Sequence, residues 1–210
     1  MRIAIIGTGN VGGGLATAAA ATGHQVSVVA ATHEHAVKLA ADTGATAAET
    51  PAEAAVDADV VVLAVPAAAA ADVLDQLGDT VAGKVVIDAT NPLNESYSDL
   101  TTSGTSHAEA LAAAAPRAHV VKAFNTVFAS RLTNTSEDGQ PLDGFYAGND
   151  ESAKATVAEL LASLGFRPID VGGLRMARSL EELALLNITI NAHNDWVWQS
   201  AWQLTGPTTT

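Results

Sequence analysis

The chain has 210 residues, of which 48% are hydrophobic and 16% are charged, and it carries a formal net charge of −13 at pH 7. That length suits one large domain with a modest extension, and the charge disfavours nucleic acid and anionic lipid as partners. No apolar run approaches the roughly 20 residues that cross a bilayer, and the absence of cysteine excludes disulfides and thiolate metal sites. We therefore expect a soluble, cytoplasmic protein with no membrane segment and no metal site.

Apolar strand-like segments alternate with helix-like segments along most of the chain. The first half contains, in order, RIAIIG, VGGGLATAAAAT, QVSVVA, EHAVKLAADT, ATAA, PAEAAVDA and DVVVLAVP. The second half continues with AAADVLDQL, KVVIDATNP, HAEALAAAAP, HVVKAFN, FYAGN, ESAKATVAELLASLG and FRPIDVG. Strands as continuously apolar as DVVVLAV are typical of parallel sheets covered by helices on both faces. The alternation predicts an α/β fold over residues 1–172, with a Rossmann-like, doubly wound and mainly parallel sheet.

The chain changes character after this domain. Residues 179–204, SLEELALLNITINAHNDWVWQSAWQL, lack glycine, place apolar residues at helical intervals and contain all three tryptophans. They predict one long helix within a C-terminal helical extension, residues 173–204. Because tryptophan is enriched in interfaces, we expect this helix to form a homodimer with its copy in a second subunit. The alternative is that it packs back over its own sheet, and residues 205–210, TGPTTT, are expected to be a disordered tail.

Three glycines form a GxGxxG pattern between the first strand and the first helix. We expect Gly7 to permit the tight turn, Gly9 to let a pyrophosphate approach the backbone, and Gly12 to bring the helix close to the strand. The free N–H groups at the start of that helix would bind phosphate without any basic side chain. The pattern predicts a dinucleotide-binding loop made of Gly7, Thr8, Gly9, Asn10, Val11 and Gly12.

The tip of the second strand distinguishes the two dinucleotides in this fold. An acidic residue there holds the ribose of NAD, whereas an arginine holds the 2′-phosphate of NADP. Residues 30–35, AATHEH, have neither at the strand tip. Thr32 and His33 could donate hydrogen bonds to a 2′-phosphate, and Glu34 could hold a ribose diol if the turn is one residue longer. The residues alone leave both dinucleotides open, and His33 could equally lie solvated at the start of a helix.

Further candidates follow the later strands, at the carboxyl ends where open parallel sheets bind ligands. Asn91 and Asn125 could hydrogen-bond to a carboxamide or a ring carbonyl, and Pro66 and Pro92 could shape the walls. Lys122 could compensate charge on a reduced ring, but it could also point outward or pair with the preceding strand's aspartate. Hydride transfer between two planar rings needs little acid–base machinery, so amides and small apolar residues are sufficient.

The remaining charged and imidazole side chains form no catalytic pattern. His107 and His119 lack a carboxylate or serine partner at a suggestive position, and we interpret them as surface groups. Arg178 with Glu181 and Glu182 fits a charge cluster on a helix surface. The sequence contains no hydrolase triad, no phosphate-binding P-loop and no metal cluster.

Five downstream segments carry a family resemblance. They are residues 88–93 (DATNPL), 119–126 (HVVKAFNT), 146–150 (YAGND), 164–172 (LGFRPIDVG) and 177–181 (ARSLE). Together they resemble the NADPH-dependent reductases of the deazaflavin coenzyme F-420 and the related reductase domain of the STEAP-type metalloreductases. The resemblance runs from residue 1 to about residue 185, and VVKAFNT is its most specific part.

The resemblance implies an enzyme that passes a hydride between NADP(H) and a deazaflavin or flavin ring, commonly as a dimer. It also implies that Phe124, Asn125 and Thr126 border the nicotinamide and the partner ring. One departure concerns the cofactor, because the family usually has Ser-Arg or Arg-Arg where this chain has Ala31 and Thr32. This departure removes the strongest sequence support for NADPH over NADH. Besides the glycine loop, the predicted dinucleotide site comprises Thr32, His33, Val65, Pro66 and Ala89. The predicted pocket for nicotinamide and substrate comprises Asn91, Pro92, Lys122, Phe124, Asn125 and Thr126.

Three functions are compatible with the sequence. The favoured one is hydride transfer between NADP(H) and a small-molecule acceptor of the deazaflavin or flavin type, in a cleft formed by TNPL and FNT. The second is an NADPH-dependent reductase of an imine or carbonyl group in a small metabolite. That class closes its site with a long helical domain, whereas one terminal helix is predicted here. The third is a non-catalytic module that senses the redox state of the dinucleotide.

Overall fold

The computed structural model describes residues 1–206, so residues 207–210 of the expected tail lie outside the described part. The strands and helices follow the predicted alternation. In chain order they are β1 (Arg2–Ile6), α1 (Asn10–Ala21), β2 (Gln25–Val29), α2 (His33–Thr43), β3 (Thr46–Ala47), α3 (Pro51–Ala55), β4 (Val60–Leu63), α4 (Ala67–Leu77), β5 (Val85–Asp88), α5 (His107–Ala114), β6 (His119–Ala123), β7 (Ser136–Glu137), β8 (Gln140–Pro141), β9 (Asp143–Gly148), α6 (Glu151–Ser163), β10 (Arg167–Asp170) and α7 (Ala177–His193).

Eight of these strands form one sheet in the order β10-β9-β6-β5-β4-β1-β2-β3, and β7 pairs with β8 in a separate hairpin. Neighbouring strands from β3 to β6 are parallel, whereas β9 runs antiparallel to β6. This confirms the mainly parallel, Rossmann-like sheet. The chain moves outward from β1 in one direction through β2 and β3, and in the other through β4, β5 and β6. Ligands of such sheets bind at this reversal, outside the carboxyl ends of the strands.

Helices cover both faces of the sheet, as the continuously apolar strands predict. All four residues of β4 are buried. Val60 and Val62 face the core beneath α1, α2 and α6, while Val61 and Leu63 face the core beneath α3, α4 and α5. Burying an aliphatic side chain stabilises the fold by about 1.5–3 kcal/mol, so packing on both faces fixes the strand ends that carry the candidate site.

The C-terminal helix is shorter than the sequence predicts. The expected helix covered residues 179–204, but α7 ends at His193. Asp195 and Trp198 adopt left-handed backbone angles, with φ of 52° and 58°, which a continuing helix cannot contain. Two buried asparagines of α7 explain the reversal, because the amides of Asn187 and Asn191 hydrogen-bond to the hydroxyl of Ser200 at 2.7 and 2.6 Å.

The segment after α7 packs against its own domain. The backbone N–H of Asp143 donates to the carbonyl of Trp202 at 3.3 Å, and the N–H of Leu204 donates to the Asp143 carboxylate at 2.6 Å. The Trp202 ring packs onto a small apolar cluster around Phe145 and Leu180. Part of the extension therefore covers its own sheet. Within residues 1–206, no helix is long and apolar enough to cross a membrane, and no group of three or more His, Asp or Glu is arranged to hold a metal ion.

Candidate functional site

The three glycines of the loop between β1 and α1 have different surroundings. A Cβ atom at Gly7 would lie 2.3 Å from the carbonyl oxygen of Ala64, and one at Gly12 would lie 1.9 Å from the carbonyl oxygen of Gly7. Both positions therefore require glycine for close packing of β1, β4 and α1, and Gly7 also has a φ of 110°. A Cβ atom at Gly9 would meet nothing within 4 Å. Open space thus remains beside Gly9, where a pyrophosphate is predicted.

The rest of the loop presents the start of α1. Gly9 is its N-cap residue, with no side-chain hydrogen bond to the first turn, and the first turn contains no acidic side chain. Asn10 is exposed, Thr8 is half-buried, and Val11 packs against the core. The first backbone N–H groups of the helix are therefore available at the reversal between β1 and β4, as phosphate binding requires.

The tip of β2 lies at the same edge of the sheet. Thr32 is the exposed N-cap residue of α2, and its hydroxyl makes no capping hydrogen bond. The Nε2 atom of His33 lies 3.3 Å from a carboxylate oxygen of Glu49, with the imidazole 40% exposed. Glu34 is exposed in the first turn of α2. The edge therefore offers a free hydroxyl and an imidazole, together with two carboxylates that would repel an unpaired phosphate.

The loops after β4 and β5 line a pocket of about 420 Å³. Pro66, Asn91 and Pro92 contribute to its walls together with the exposed Tyr97 and the half-buried His107. The structure thus brings together candidates from two predicted loops, while His107, interpreted above as a surface group, borders the same pocket. Two further predicted residues lie at these strand ends, the half-buried Val65 and the buried Ala89.

The FNT segment after β6 lies deeper than expected. Phe124, Asn125 and Thr126 are 1%, 6% and 4% exposed, so they do not form the outer wall of the cleft. Phe124 adopts a φ of 65°, and its ring contacts Phe166 edge-to-face with centroids 6.4 Å apart. A left-handed conformation of a bulky residue costs about 1–3 kcal/mol and persists only where the surroundings fix it.

Asn91 and Asn125 form a reciprocal pair across the ends of β5 and β6. The amide of Asn91 donates to the carbonyl of Asn125 at 2.9 Å, and the amide of Asn125 donates to the side-chain oxygen of Asn91 at 3.0 Å. Asn125 also donates to the carbonyl of Leu180 in α7 at 2.9 Å. Its own side-chain oxygen and the hydroxyl of Thr126 are buried without a hydrogen-bond partner. These two atoms could accept or donate hydrogen bonds to a bound amide.

Lys122 does not reach the pocket in which the sequence places it. The side chain is fully buried, and its ammonium donates to Asp88 at 2.8 Å, to the carbonyl of Thr90 at 2.7 Å and to Glu181 at 3.0 Å. Of the alternatives left open by the sequence, pairing with Asp88 is the one found. All three ammonium hydrogens have protein acceptors, so none is directed at a ligand.

Sequence reasoning missed the role of Glu181. It was grouped with Arg178 and Glu182 as a surface cluster, yet it is fully buried and also accepts a hydrogen bond from the backbone N–H of His107 at 3.0 Å. Its position one residue after Leu180, within the ARSLE segment of the family resemblance, is the signal that could have indicated a structural contact. Arg178 instead pairs with a glutamate of α5.

That glutamate, Glu109, joins the start of α5 to α7. Arg178 donates to both of its carboxylate oxygens at 2.7 and 2.8 Å, and the N–H of Ser106 donates to it at 2.8 Å in a capping box. The guanidinium of Arg178 is the main reason that the pKa of Glu109 lies at about 2, below its ordinary 4.5. This ion pair and the capping box hold the edge of the 420 Å³ pocket formed by the start of α5.

Two further pockets border the C-terminal segment, and together with the 420 Å³ pocket at Asn91 we call them the groove. One, of about 790 Å³, lies between the turn at Tyr97 and the end of α7, with Ile188, Thr189 and Trp198 in its walls. The other, of about 530 Å³, is lined by Asn10 and by Phe128 and Trp198. The rings of Phe128 and Trp198 meet edge-to-face at 5.6 Å. Trp198 thus lines both of these pockets, and Tyr97 lines both the 790 Å³ pocket and the pocket at Asn91.

Comparisons with known proteins identify the family of this chain. The family model described as NADP oxidoreductase, coenzyme F420-dependent, matches residues 2–92. An F420-dependent NADP reductase from Methanothermobacter thermautotrophicus is 35% identical over an alignment of 212 positions. The alignment covers 92% of this chain and 90% of that protein. Metalloreductase STEAP3 from Rattus norvegicus is 37% identical over 112 residues, covering 53% of this chain and 22% of that protein. Both resemblances noted in the sequence are confirmed.

Two solved structures are similar to this chain in fold and in sequence. A candidate F420-dependent NADP reductase from Arthrobacter sp. FB24 has a TM-score of 0.87 and 31% identity, covering 98% of this chain and 100% of that chain. A reductive aminase from Aspergillus terreus, in complex with NADPH and ethyl levulinate, has a TM-score of 0.71 and 25% identity, covering 92% of this chain and 63% of that chain. Both solved structures share the overall fold described above.

Proposed function

Since this chain belongs to the family of F420-dependent NADP reductases and is an NADP-dependent oxidoreductase, we propose that it transfers a hydride between NADP(H) and a deazaflavin of the coenzyme F420 type. The observation that carries this proposal is the open space at Gly9, at the reversal of a Rossmann-like sheet, together with the pockets lined by the next residue Asn10, by Trp198 and by Asn91. FMN or another flavin is the alternative acceptor.

The residues present fit NADP(H). The pyrophosphate would lie on the start of α1 beside Gly9, and the adenosine 2′-phosphate would contact Thr32 and His33 at the tip of β2. The nicotinamide would lie near Val65, Pro66 and Ala89, with its carboxamide within reach of the Asn91–Asn125 pair. When bound, the nicotinamide supplies or accepts the hydride. Without an arginine at the β2 tip, we expect the preference for NADP(H) over NAD(H) to be modest.

The acceptor ring would occupy the groove next to the nicotinamide. The 790 Å³ pocket has the size of a typical small-ligand site and combines aromatic and aliphatic walls with a few polar groups. Tyr97 and Trp198 present ring surfaces against which a planar tricyclic system can stack. The protein's task is to set the distance between the two rings and to exclude water, which apolar walls accomplish without a general acid.

Two further proposals concern the environment of the protein. A homodimer through the exposed part of α7 would cover Leu186, which is 49% exposed, together with neighbouring apolar side chains. A cytoplasmic location follows from the need for a soluble dinucleotide and acceptor. Neither nucleic acid nor a membrane is expected as a partner, because the net charge of −13 repels polyanions.

The second candidate function is reduction of an imine or carbonyl group in a small metabolite. The likeness to the NADPH-bound reductive aminase favours it. It requires a group that can deliver a proton to the reduced nitrogen or oxygen, and the wall of the Asn91 pocket contains three titratable side chains, Glu95, Tyr97 and His107. A sensing module without turnover is the third candidate.

The test is oxidation of NADPH, followed at the nicotinamide absorbance band without oxygen, with coenzyme F420, FMN and a cyclic imine as separate acceptors. We expect turnover with F420. Trp198→Ala should raise the KM for F420 about tenfold. Trp196→Ala is the matched control, because Trp196 is 51% exposed and lines none of the three pockets of the groove. Turnover with the imine alone would contradict hydride transfer to F420 and support the imine or carbonyl reductase. NADPH binding without turnover of any acceptor would support the sensing module.

A further inference from the structure

A cluster of three charged side chains is fully enclosed beneath the candidate site, and none of the three lines a pocket of the groove. Asp88 in β5, Lys122 in β6 and Glu181 in α7 are each 0% exposed. Buried ion pairs of this kind are often no more stable than apolar side chains of the same volume. Their complete hydrogen bonding instead fixes one arrangement of the elements that carry them.

The cluster controls the backbone that leads to Asn91. The carbonyl of Thr90 accepts from the Lys122 ammonium at 2.7 Å, and the N–H of Thr90 donates to Asp88 at 2.9 Å. Both backbone polar groups of Thr90 are therefore bound within the cluster. The next residue is Asn91, whose amide reaches across to the carbonyl of Asn125.

The same cluster controls the approach to Asn125 from two sides. Lys122 anchors β6 two residues before Phe124, whose left-handed backbone sets the direction of Asn125. Glu181 anchors α7, and its neighbour Leu180 accepts a hydrogen bond from the Asn125 amide. The two amides of the reciprocal pair are thus held by elements that meet at one buried ammonium.

We infer that Lys122 is a positioning residue, which holds the Asn91–Asn125 pair in the geometry that receives the nicotinamide carboxamide. The inference rests on the proposed function, since it assumes that the pair contacts nicotinamide. Lys122 acts through Thr90, Asp88 and Glu181 and does not contact the ligand. The consequence is specific: losing the ammonium weakens the nicotinamide contact and leaves the adenosine and phosphate contacts unchanged.

Two ligands separate these contacts. NADP⁺ contains the nicotinamide, whereas 2′-phospho-ADP-ribose is the same dinucleotide without it. Isothermal titration calorimetry measures the affinity of the protein for each ligand. The affinity for NADP⁺ divided by the affinity for 2′-phospho-ADP-ribose gives a ratio that reports the contribution of the nicotinamide. In Lys122→Met we expect this ratio to fall about tenfold, with the affinity for 2′-phospho-ADP-ribose unchanged. Equal weakening of both ligands, or of neither, would overturn the inference.

Lys122→Met leaves two buried carboxylates without their counter-ion and could fail to fold. The triple variant Asp88→Asn, Lys122→Met and Glu181→Gln removes all three charges, and the same fall in the ratio is expected. Lys154→Met is the control for loss of a buried, paired lysine, because Lys154 is 7% exposed and pairs with Glu151 and Asp170, which lie outside the cluster. Its ratio should match that of the wild type.

The outcomes also separate this inference from the proposed function. A wild-type protein that binds neither ligand contradicts both. A wild-type protein that binds NADP⁺ but transfers no hydride to F420 contradicts the proposed reaction alone, and the ratio in Lys122→Met still decides the inference. A normal ratio in Lys122→Met, with F420 turnover intact, rejects the positioning role and leaves the proposed function in place.

Discussion

At the scale of single residues, the glycine loop separates a role in folding from a role in binding. Gly9 has a φ of −69° and open space where a side chain would project, so Gly9→Val should fold normally. Its side chain would occupy the predicted position of the pyrophosphate, and we expect the dissociation constant of NADPH to rise at least about a hundredfold. Fluorescence titration measures the affinity, and thermal unfolding checks the fold.

Gly12→Ala is the contrasting variant. The Cβ atom of the new alanine would lie 1.9 Å from the carbonyl oxygen of Gly7. The substitution should therefore lower the melting temperature of the protein even without a ligand. A folded Gly9→Val protein with wild-type affinity for NADPH would show that the pyrophosphate lies elsewhere.

Residue chemistry could be predicted from the sequence where it depends on local geometry. Gly7, Gly9 and Gly12 stand between a strand and a helix, and their spacing alone indicates the turn and the close packing found. Lys122 and Glu181 could not be placed in this way, because they are 59 residues apart and meet only through tertiary packing. The position of the FNT segment at a strand end was predictable. Its burial was not, because it depends on packing against α7 and on the left-handed backbone conformation of Phe124.

At the scale of secondary-structure elements, the attachment of α5 to α7 has a pH dependence. The pKa of Glu109 is lowered to about 2 in the folded protein from an ordinary 4.5. A lowered folded pKa means that the stabilisation is fully present above pH 4.5 and is lost as the pH falls towards 2. Glu109→Gln should therefore lower the free energy of unfolding at pH 7 by about 1 kcal/mol, a value limited by solvent screening of the half-exposed Arg178.

Urea unfolding of the wild type and the variant at a series of pH values checks this prediction. The difference between the two proteins should be constant from pH 7 to about 5 and should shrink below pH 4.5. Glu182→Gln, an exposed carboxylate on α7, should show no such difference. A deficit in Glu109→Gln that persists unchanged at pH 3 would mean that the carboxylate charge is not its cause.

The elements themselves were largely predictable, and the main error has a physical cause. Apolar periodicity identified α7 but overestimated its length, because residues 194–204 keep a helix-like distribution of tryptophans while they return along the sheet. Asn187 and Asn191 stabilise that return by hydrogen bonding to Ser200, which is a contact between polar residues of the helix and a residue beyond its end. Periodicity describes which side chains are apolar, not which surface they cover.

At the scale of the whole molecule, the proposed dimer has to overcome repulsion between two chains of net charge −13. Apolar side chains remain exposed where α7 ends, with Leu186 at 49%, Trp196 at 51% and Val197 at 76%. Burying them would favour association, and salt would screen the repulsion over a Debye length of about 8 Å at 0.15 M. The dimer should therefore tighten as the salt concentration rises.

Sedimentation velocity tests this arrangement. We expect the wild type to have twice the 21.3 kDa mass of one chain. Leu186→Glu should weaken association at least about tenfold, because a carboxylate would lie unpaired in the interface. Val37→Glu is the matched control, since Val37 is 47% exposed but lies on α2. A wild-type monomer would exclude the dimer, and a Leu186→Glu protein that associates like the wild type would place the interface away from α7.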